Sequence, residues 1–326
     1  MTQHIRWGIL STANIARGKV IPAIHASHNG VVAAVASRTQ ERAETFAADN
    51  DIPTAYGSYQ ALINDPAIDA IYIPTPNSEH ADWAIRCAEA GKPTLCEKPL
   101  ASDALESQTM CDTFSEHKIP FAEAFMYRFH PQTERVKQMI DDGAIGDLKT
   151  MNATFTFTVR SETNVRLSHD LAGGALMDVG CYCVNVMRHL TGVEPYRVHA
   201  LADVGTDSQV DETLTGVLAF PDGVMGHFDC GLRAYRTHTY DIRGTTGRIR
   251  VDEGFVMPDD RATTIHYWHG DAYEQISIPP ANSYQLMVED FADAILNQRP
   301  PRFPAQDGVQ NMQVIGHLLA STNRHR

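Results

Sequence analysis

The sequence predicts an α/β chain in two parts, a doubly wound parallel sheet followed by an α/β domain with an open, mostly antiparallel sheet. Three observations carry this. Six short apolar runs alternate with helix signals through about residue 123, the pattern of successive strand–helix–strand units. After Ala124 the runs lengthen and alternate apolar with polar residues, separated by turn signals such as Pro221-Asp222-Gly223 and Thr246-Gly247. A chain of 326 residues is long enough for two domains of ordinary size, and the expected division is 1–123 and 124–326.

In the first part the strands are Ile5 to Leu10, Val31 to Ala36, a short one closing at Tyr56, Asp69 to Ile73, the run ending at Cys96, and Pro120 to Glu123. Helices are expected over Ala13 to Ala26, Glu41 to Asp49, Ser58 to Asn64, Asp103 to His117, and from a Ser78 cap to Gly91. An aromatic and basic crossover, Phe125 to Pro131, leads to a helix ending near Asp142. Alternating strands then cover Lys149 to Arg160, Tyr196 to Val204, Thr213 to Phe220, Val224 to Leu232, Thr239 to Arg243 and Arg248 to Val251. One helix is inserted among them after Gly173-Gly174. Two helices close the chain, Tyr284 to Asn297 and Gln306 to Ala320.

Composition excludes several classes. With 43% hydrophobic and 21% charged residues the chain is an ordinary globular protein. A net charge of −13 argues against a nucleic-acid partner, because phosphate would be repelled. No segment has the apolar length of a membrane span, and the start runs straight into a strand without a secretory leader. The six cysteines are scattered, so a reducing cytoplasm is expected and no metal site.

The chemistry-bearing residues of the first part sit at strand ends, where an open α/β sheet binds its ligands. Ser11-Thr12-Ala13-Asn14-Ile15 turns from the first strand into a helix. Small residues there let backbone approach a pyrophosphate, although Ser11 and Ala13 stand where a dinucleotide fingerprint has glycine. Ser37-Arg38 ends the second strand, and a basic residue at that place suits a 2′-phosphate, so NADP is favoured over NAD. Pro74-Thr75-Pro76-Asn77 ends the fourth, with His80 just beyond, placed for ligand contact. Glu97-Lys98-Pro99 ends the fifth, and Pro99 keeps Lys98 out of the α conformation.

The inserted helix shows two stripes. Val179, Cys183, Val186, Met187 and Leu190 face the core, while Asp178, Tyr182, Asn185 and His189 form a polar row that suits a ligand wall. Asp178 also reads as the helix N-cap. A phenol titrates near pH 10, but a neighbouring ammonium favours the phenolate. Lys98 and Tyr182 could therefore move the proton of a carbinol without a metal.

These motifs resemble those of the glucose–fructose oxidoreductase, inositol dehydrogenase and rhizopine-catabolism family (Gfo/Idh/MocA). The signs are Arg6 to Ala13, Ser37-Arg38, Pro74 to His80, Glu97-Lys98-Pro99, Glu123 to Arg128 and Asp178-Val179-Gly180-Cys181-Tyr182, in family order along essentially the whole chain. The resemblance implies a Rossmann domain, a catalytic Lys98, Tyr182 as proton donor or acceptor, and Asp178 as the acid that positions substrate. It also implies contact of Arg166 with substrate or nicotinamide, and Asn185 of the polar row is expected to contact substrate as well. A tyrosine at 182 is similar to the branch of NADP-dependent D-xylose dehydrogenases, dimeric dihydrodiol dehydrogenases and glucose–fructose oxidoreductase. The implied activity is hydride transfer between nicotinamide and a sugar, polyol or diol. The second sheet is implied to form a homodimer or tetramer face, and the terminal helices to fold back on the first domain.

Two other classes compete. A catalytically silent NADP-binding regulator could share the fold, but intact Lys98, Asp178 and Tyr182 favour the enzyme. A metal-dependent hydrolase would need His266, His269 and Asp271 as ligands, in a strand-and-turn stretch where exposed polar residues are the ordinary expectation.

Overall fold

The computed structural model describes residues 4–322. The chain divides into two compact units, one made by residues up to Met126 with Tyr284–Val309, the other by Tyr127–Ser283 with the residues from Gln310 on. In the first unit β1 (Ile5–Leu10), β2 (Gly30–Ala36), β3 (Thr54–Tyr56), β4 (Ala70–Ile73), β5 (Thr94–Cys96) and β6 (Phe121–Glu123) form one parallel sheet, ordered β3-β2-β1-β4-β5-β6. Its helices are α1 (Ile21–Ala26), α2 (Gln40–Asp49), α3 (Tyr59–Ile63), α4 (His80–Glu89) and α5 (Ala104–His117). This is the expected doubly wound sheet, and the strand order reverses between β1 and β4, so the loops there diverge and leave a crevice. The central strands are buried on both faces, which is why β1 and β4 read as nearly unbroken apolar runs.

Two local expectations are corrected. The helix after β1 enters α1 through a π-helical turn, Ala16–Val20. Ser78 caps nothing: it lies inside a 3₁₀ turn, Asn77–Glu79, that runs directly into α4. That turn already supplies an acceptor for the first helical donors, leaving no role for a serine hydroxyl.

The second unit begins with α6 (Pro131–Asp141) and β7 (Leu148–Thr158), followed by α7 (Cys181–Thr191), β8 (Arg197–Val204), β9 (Asp211–Ala219), β10 (Met225–Gly231), β11 (Arg233–Gly244), β12 (Gly247–Val251), β13 (Thr263–His269) and β14 (Ala272–Ile278). The eight strands are ordered β14-β13-β12-β11-β7-β10-β9-β8, and all neighbours are antiparallel except β7 and β10. The fold class is thus as the sequence predicts. The strand expected at Thr239 to Arg243 is only the end of the longer β11, and β14 was not foreseen at all. β14 is an edge strand with Ala272–Gln275 exposed, so it lacks the apolar alternation that marks a half-buried strand. α7 packs on β7 and β10, whereas Leu201, Val217 and Met225 stay exposed.

The closing helices, both expected to fold back on the first domain, divide between the units. α8 (Ser283–Leu296) joins the first, where Phe291 packs against the fully buried Trp7 with ring centroids 5.7 Å apart. Glu289 accepts the His28 backbone N–H at 3.2 Å, and its own carbonyl accepts from the Asn29 amide at 2.9 Å. Most of α9 (Gln306–Thr322) joins the second unit, with Leu318 against the β9 position where Gly216 leaves room. Among the described residues, no helix is long and apolar enough to cross a membrane.

Because Trp7 and Phe291 form the contact between β1 and α8, Phe291→Ala should destabilise the first unit by about 3–5 kcal/mol. Denaturant unfolding followed by tryptophan emission measures this, and an unchanged midpoint would show that α8 adds nothing to the core.

Candidate active site

In the first unit the crevice is built from loops that bind one another. Ser11 adopts φ 149°, in the region that favours glycine, which is the backbone cost of a serine at the fingerprint position. Its hydroxyl compensates in two directions, accepting from the Ala13 N–H at 3.2 Å and donating to the Pro74 carbonyl at 3.3 Å. The turn after β1 is thereby tied to the loop after β4. Asn14 is exposed and Ile15 half-buried at the helix start that follows.

His80 ties the β4 loop to the β5 loop. It has no accessible surface, and its two ring nitrogens lie 3.0 Å from the Pro99 carbonyl and 3.0 Å from the Thr75 carbonyl. Burial, with a smaller contribution from the Lys98 charge, pushes its pKa down to about 4. Burial thus outweighs the two carbonyls, which favour the charged form; the neutral ring donates its single N–H to one of them and only packs against the other. Direct ligand contact was expected of His80; complete burial gives it a clamping role instead, and the ligand-facing surface falls to the loops that it holds.

Glu97 is fixed from both sides of its carboxylate. The Tyr72 hydroxyl donates to one oxygen at 2.7 Å, and the Lys98 backbone N–H donates to the other at 3.2 Å. Tyr72 is fully buried in β4, and burial followed by the Glu97 charge pushes its phenol well up, so it stays a donor. The Lys98–Pro99 peptide is cis. Lys98 itself is half-buried at the carboxyl end of β5.

At the end of β2, Ser37 is buried and Arg38 exposed. Arg42, absent from the sequence reading, donates from Nε to the Thr12 hydroxyl at 2.8 Å, linking the first turn of α2 to the turn after β1. Both guanidinium groups act electrostatically on the Tyr59 phenol, so the two cations share one neighbourhood. The spacing Arg38-x-x-x-Arg42 at a helix start was the available signal.

A dinucleotide fits these residues. The Thr75 hydroxyl is buried at the end of β4 with no hydrogen-bond partner among the described residues, an orphan of the kind that a bound polar ligand satisfies. Half-buried Asn77 beyond it, the helix start after Ser11, and the Arg38/Arg42 pair offer groups for amide, pyrophosphate and 2′-phosphate.

In the second unit a further π-helical turn, Leu176–Gly180, opens α7. Asp178 lies within this turn and its N–H reaches the Gly174 carbonyl at 3.0 Å, so it is not the expected N-cap. Its carboxylate instead accepts from Arg166 Nε at 2.6 Å. Arg166 also lies over the Phe157 ring, 5.7 Å from its centroid. Tyr182 is nearly buried among rings, with Phe155, Phe255 and Tyr127 at centroid distances of 5.3, 5.6 and 5.8 Å. Asn185 is buried and accepts from the Tyr127 hydroxyl at 2.7 Å, which turns its side-chain oxygen to a neighbouring ring rather than to a ligand. Phe155, Phe255 and Tyr127 were missed, because their shared contact with Tyr182 joins positions far apart in sequence.

The hydrolase ligands do not converge. His266 pairs with Asp252 at 3.2 Å and meets the Tyr273 hydroxyl, while His269, three residues on, reaches the Ala144 carbonyl. Odd spacing on a strand sends them to opposite faces. Among the described residues no group of three His, Cys, Asp or Glu side chains could hold a metal ion.

The reversed strand order with polar loops at its switch point defines a dinucleotide-binding unit of the Rossmann class. Comparison with known proteins agrees. Residues 5–125 match the model of the oxidoreductase family with an NAD-binding Rossmann fold, and residues 133–250 match the GFO/IDH/MocA C-terminal domain. The chain is 37% identical to a D-xylose 1-dehydrogenase (NADP(+)) of Haloferax volcanii, over 97% of this chain and 96% of the relative. It is 35% identical to a trans-1,2-dihydrobenzene-1,2-diol dehydrogenase of Bos taurus, over 95% and 91%. A 3-ketoreductase from Actinomadura kijaniata, solved with NADP and TDP-benzene, superposes with a TM-score of 0.93 at 29% identity, covering 98% of both chains. The chain belongs to the Gfo/Idh/MocA family of oxidoreductases.

Two outcomes follow from this geometry. A histidine whose folded pKa is depressed stabilises the fold above its unfolded pKa near 6.5, and that stability is lost as pH falls toward about 4. Between pH 7 and pH 5 the protein should lose on the order of 2 kcal/mol more than His80→Gln does, measured by unfolding at both pH values. Equal losses would mean that His80 titrates normally. Arg38→Asp should weaken NADP roughly ten- to a hundredfold while leaving NAD nearly unchanged, with Arg42→Ala acting in the same direction. Titration of both cofactors decides this, and equal affinity of the unsubstituted protein for the two would sink the assignment.

Proposed function

We propose that this protein is an NADP-dependent oxidoreductase that transfers a hydride between nicotinamide and a carbinol or carbonyl carbon of a sugar or a cyclic polyol or diol. The observation that carries the residue roles is the start of α7, where Asp178 is held by Arg166 and Tyr182 is walled by three aromatic rings. An acid so oriented accepts a hydrogen bond from a substrate hydroxyl. Tyr182 takes the carbinol proton during oxidation and returns it during reduction. Within the first unit, Tyr72, Glu97 and His80 hold the turn that carries Lys98, the residue to which we assign the catalytic cation. Arg38 and Arg42 receive the 2′-phosphate. Aldoses in ring form and cyclic diols share the hydroxylated edge that Asp178 and Tyr182 would engage. The named relatives, a D-xylose dehydrogenase and a dihydrodiol dehydrogenase, support that substrate class. The exposed Leu201, Val217 and Met225 on the second sheet support self-association through that sheet.

Tyr182→Phe keeps the ring and removes only the hydroxyl. On the best aldose or diol from a substrate panel, kcat should fall by about 10²- to 10⁴-fold with NADP affinity unchanged. The rise of oxidation rate with pH should vanish with it. Retained turnover with the same pH profile would make Tyr182 a packing residue and remove the proposed proton carrier.

A further inference from the structure

Asp211 opens β9, 33 residues beyond Asp178 in the sequence (211 − 178), and nothing in its neighbourhood of the sequence marks it as functional. Its side chain nevertheless reaches the first turn of the helix that bears Asp178 and Tyr182. One carboxylate oxygen accepts the Leu176 N–H at 2.7 Å, and the Ala175 backbone also donates to the group. The other oxygen sits against Gly174, whose φ of 115° and missing side chain admit it; a Cβ there would overlap Asp211 Oδ1. Gly174 in turn donates to the Arg166 carbonyl at 2.8 Å and accepts from the Asp178 N–H at 3.0 Å. Arg166, Gly174, Asp178 and the helix start are therefore all referred to this one carboxylate.

The arrangement is expensive in ordinary folding terms. Asp211 is only 7% exposed, and among the described residues it makes no ion pair. Burial pushes its carboxyl up to about 6, against the backbone N–H groups that hold it down. A threonine or asparagine could cap a helix without burying a charge. A carboxylate does what they cannot: it brings a full negative charge, with two oxygens, to the positive end of the helix dipole. Its two acceptors also fix the rotation of the first turn.

We propose that Asp211 is a positioning residue for the reaction, setting the start of α7 so that Asp178 and Tyr182 take their working orientation. This rests on the roles given to those two residues above. Asp211 touches no reacting atom; it acts through the helix. Asp211→Asn is nearly isosteric but removes the charge and turns one of the two oxygens into an NH₂ group, so the turn loses part of what holds it. Asp211→Ala removes both acceptors.

The test is a double-substitution cycle on the full chain, with kcat, KM and NADP affinity measured well below each variant's unfolding midpoint. Asp211→Asn should lower kcat about tenfold to a hundredfold, as small misplacements of catalytic groups do, and leave NADP affinity unchanged. In the Tyr182→Phe background the same substitution should cost little more than twofold, because the group it positions is already gone. Asp211→Ala, where it folds, should be at least as impaired as Asp211→Asn. Wild-type kcat in folded Asp211→Asn overturns the inference, as does a full additional loss in the Tyr182→Phe background, which a merely structural role would give. Full turnover by Tyr182→Phe alone instead overturns the role of Tyr182, and this inference with it.

Discussion

One buried imidazole joins the two loops on which the first site depends. The loops after β4 and β5 leave adjacent parallel strands, and backbone carbonyls at such ends have no ladder partners. His80 fills that gap by standing between the Thr75 and Pro99 carbonyls, and complete burial keeps it neutral. A charged or flexible side chain could not occupy the position without a large desolvation penalty or loss of order. The turn bearing Lys98 consequently has its backbone set by His80 and its neighbouring carboxylate set by Tyr72 and Lys98's own N–H. Tyr72 and His80, which fix the surroundings of the lysine, are both fully buried.

The second unit solves a similar problem with a helix. A π-helical turn widens the start of α7, placing Asp178 within reach of Arg166. Widened turns of this kind lose hydrogen-bond quality and concentrate at functional positions. Here the loss is offset by a carboxylate beneath the first turn and by rings packed edge-on and tilted around Tyr182. Both units thus spend polar burial on holding backbone.

Much of this was legible in the sequence. Alternation of apolar runs with helix signals determined the doubly wound sheet, because a parallel strand buried on both faces has few compositional options. The change to period-two alternation after Ala124 determined the second sheet for the same reason. Lys98, Asp178 and Tyr182 stood out because local grammar isolates them: a proline after the lysine, and a polar row on an otherwise apolar helix. Arg38 was legible from its place at a strand end.

What only the tertiary structure decided is which groups hold these residues. Arg42 joins Arg38 near Tyr59 and binds Thr12, while the partners of Glu97, Asp178 and Tyr182 are Tyr72, Arg166 and a set of rings drawn from three separate segments. His80 was seen but misread, since burial of both its nitrogens depends on a loop 19 residues away. Asp211 was invisible, as its function arises from a hydrogen bond to Leu176 across 35 residues. Periodicity reports which face of an element is buried. It carries no information about what lies across that face, because that is set by the packing of whole elements rather than by the residues beside it.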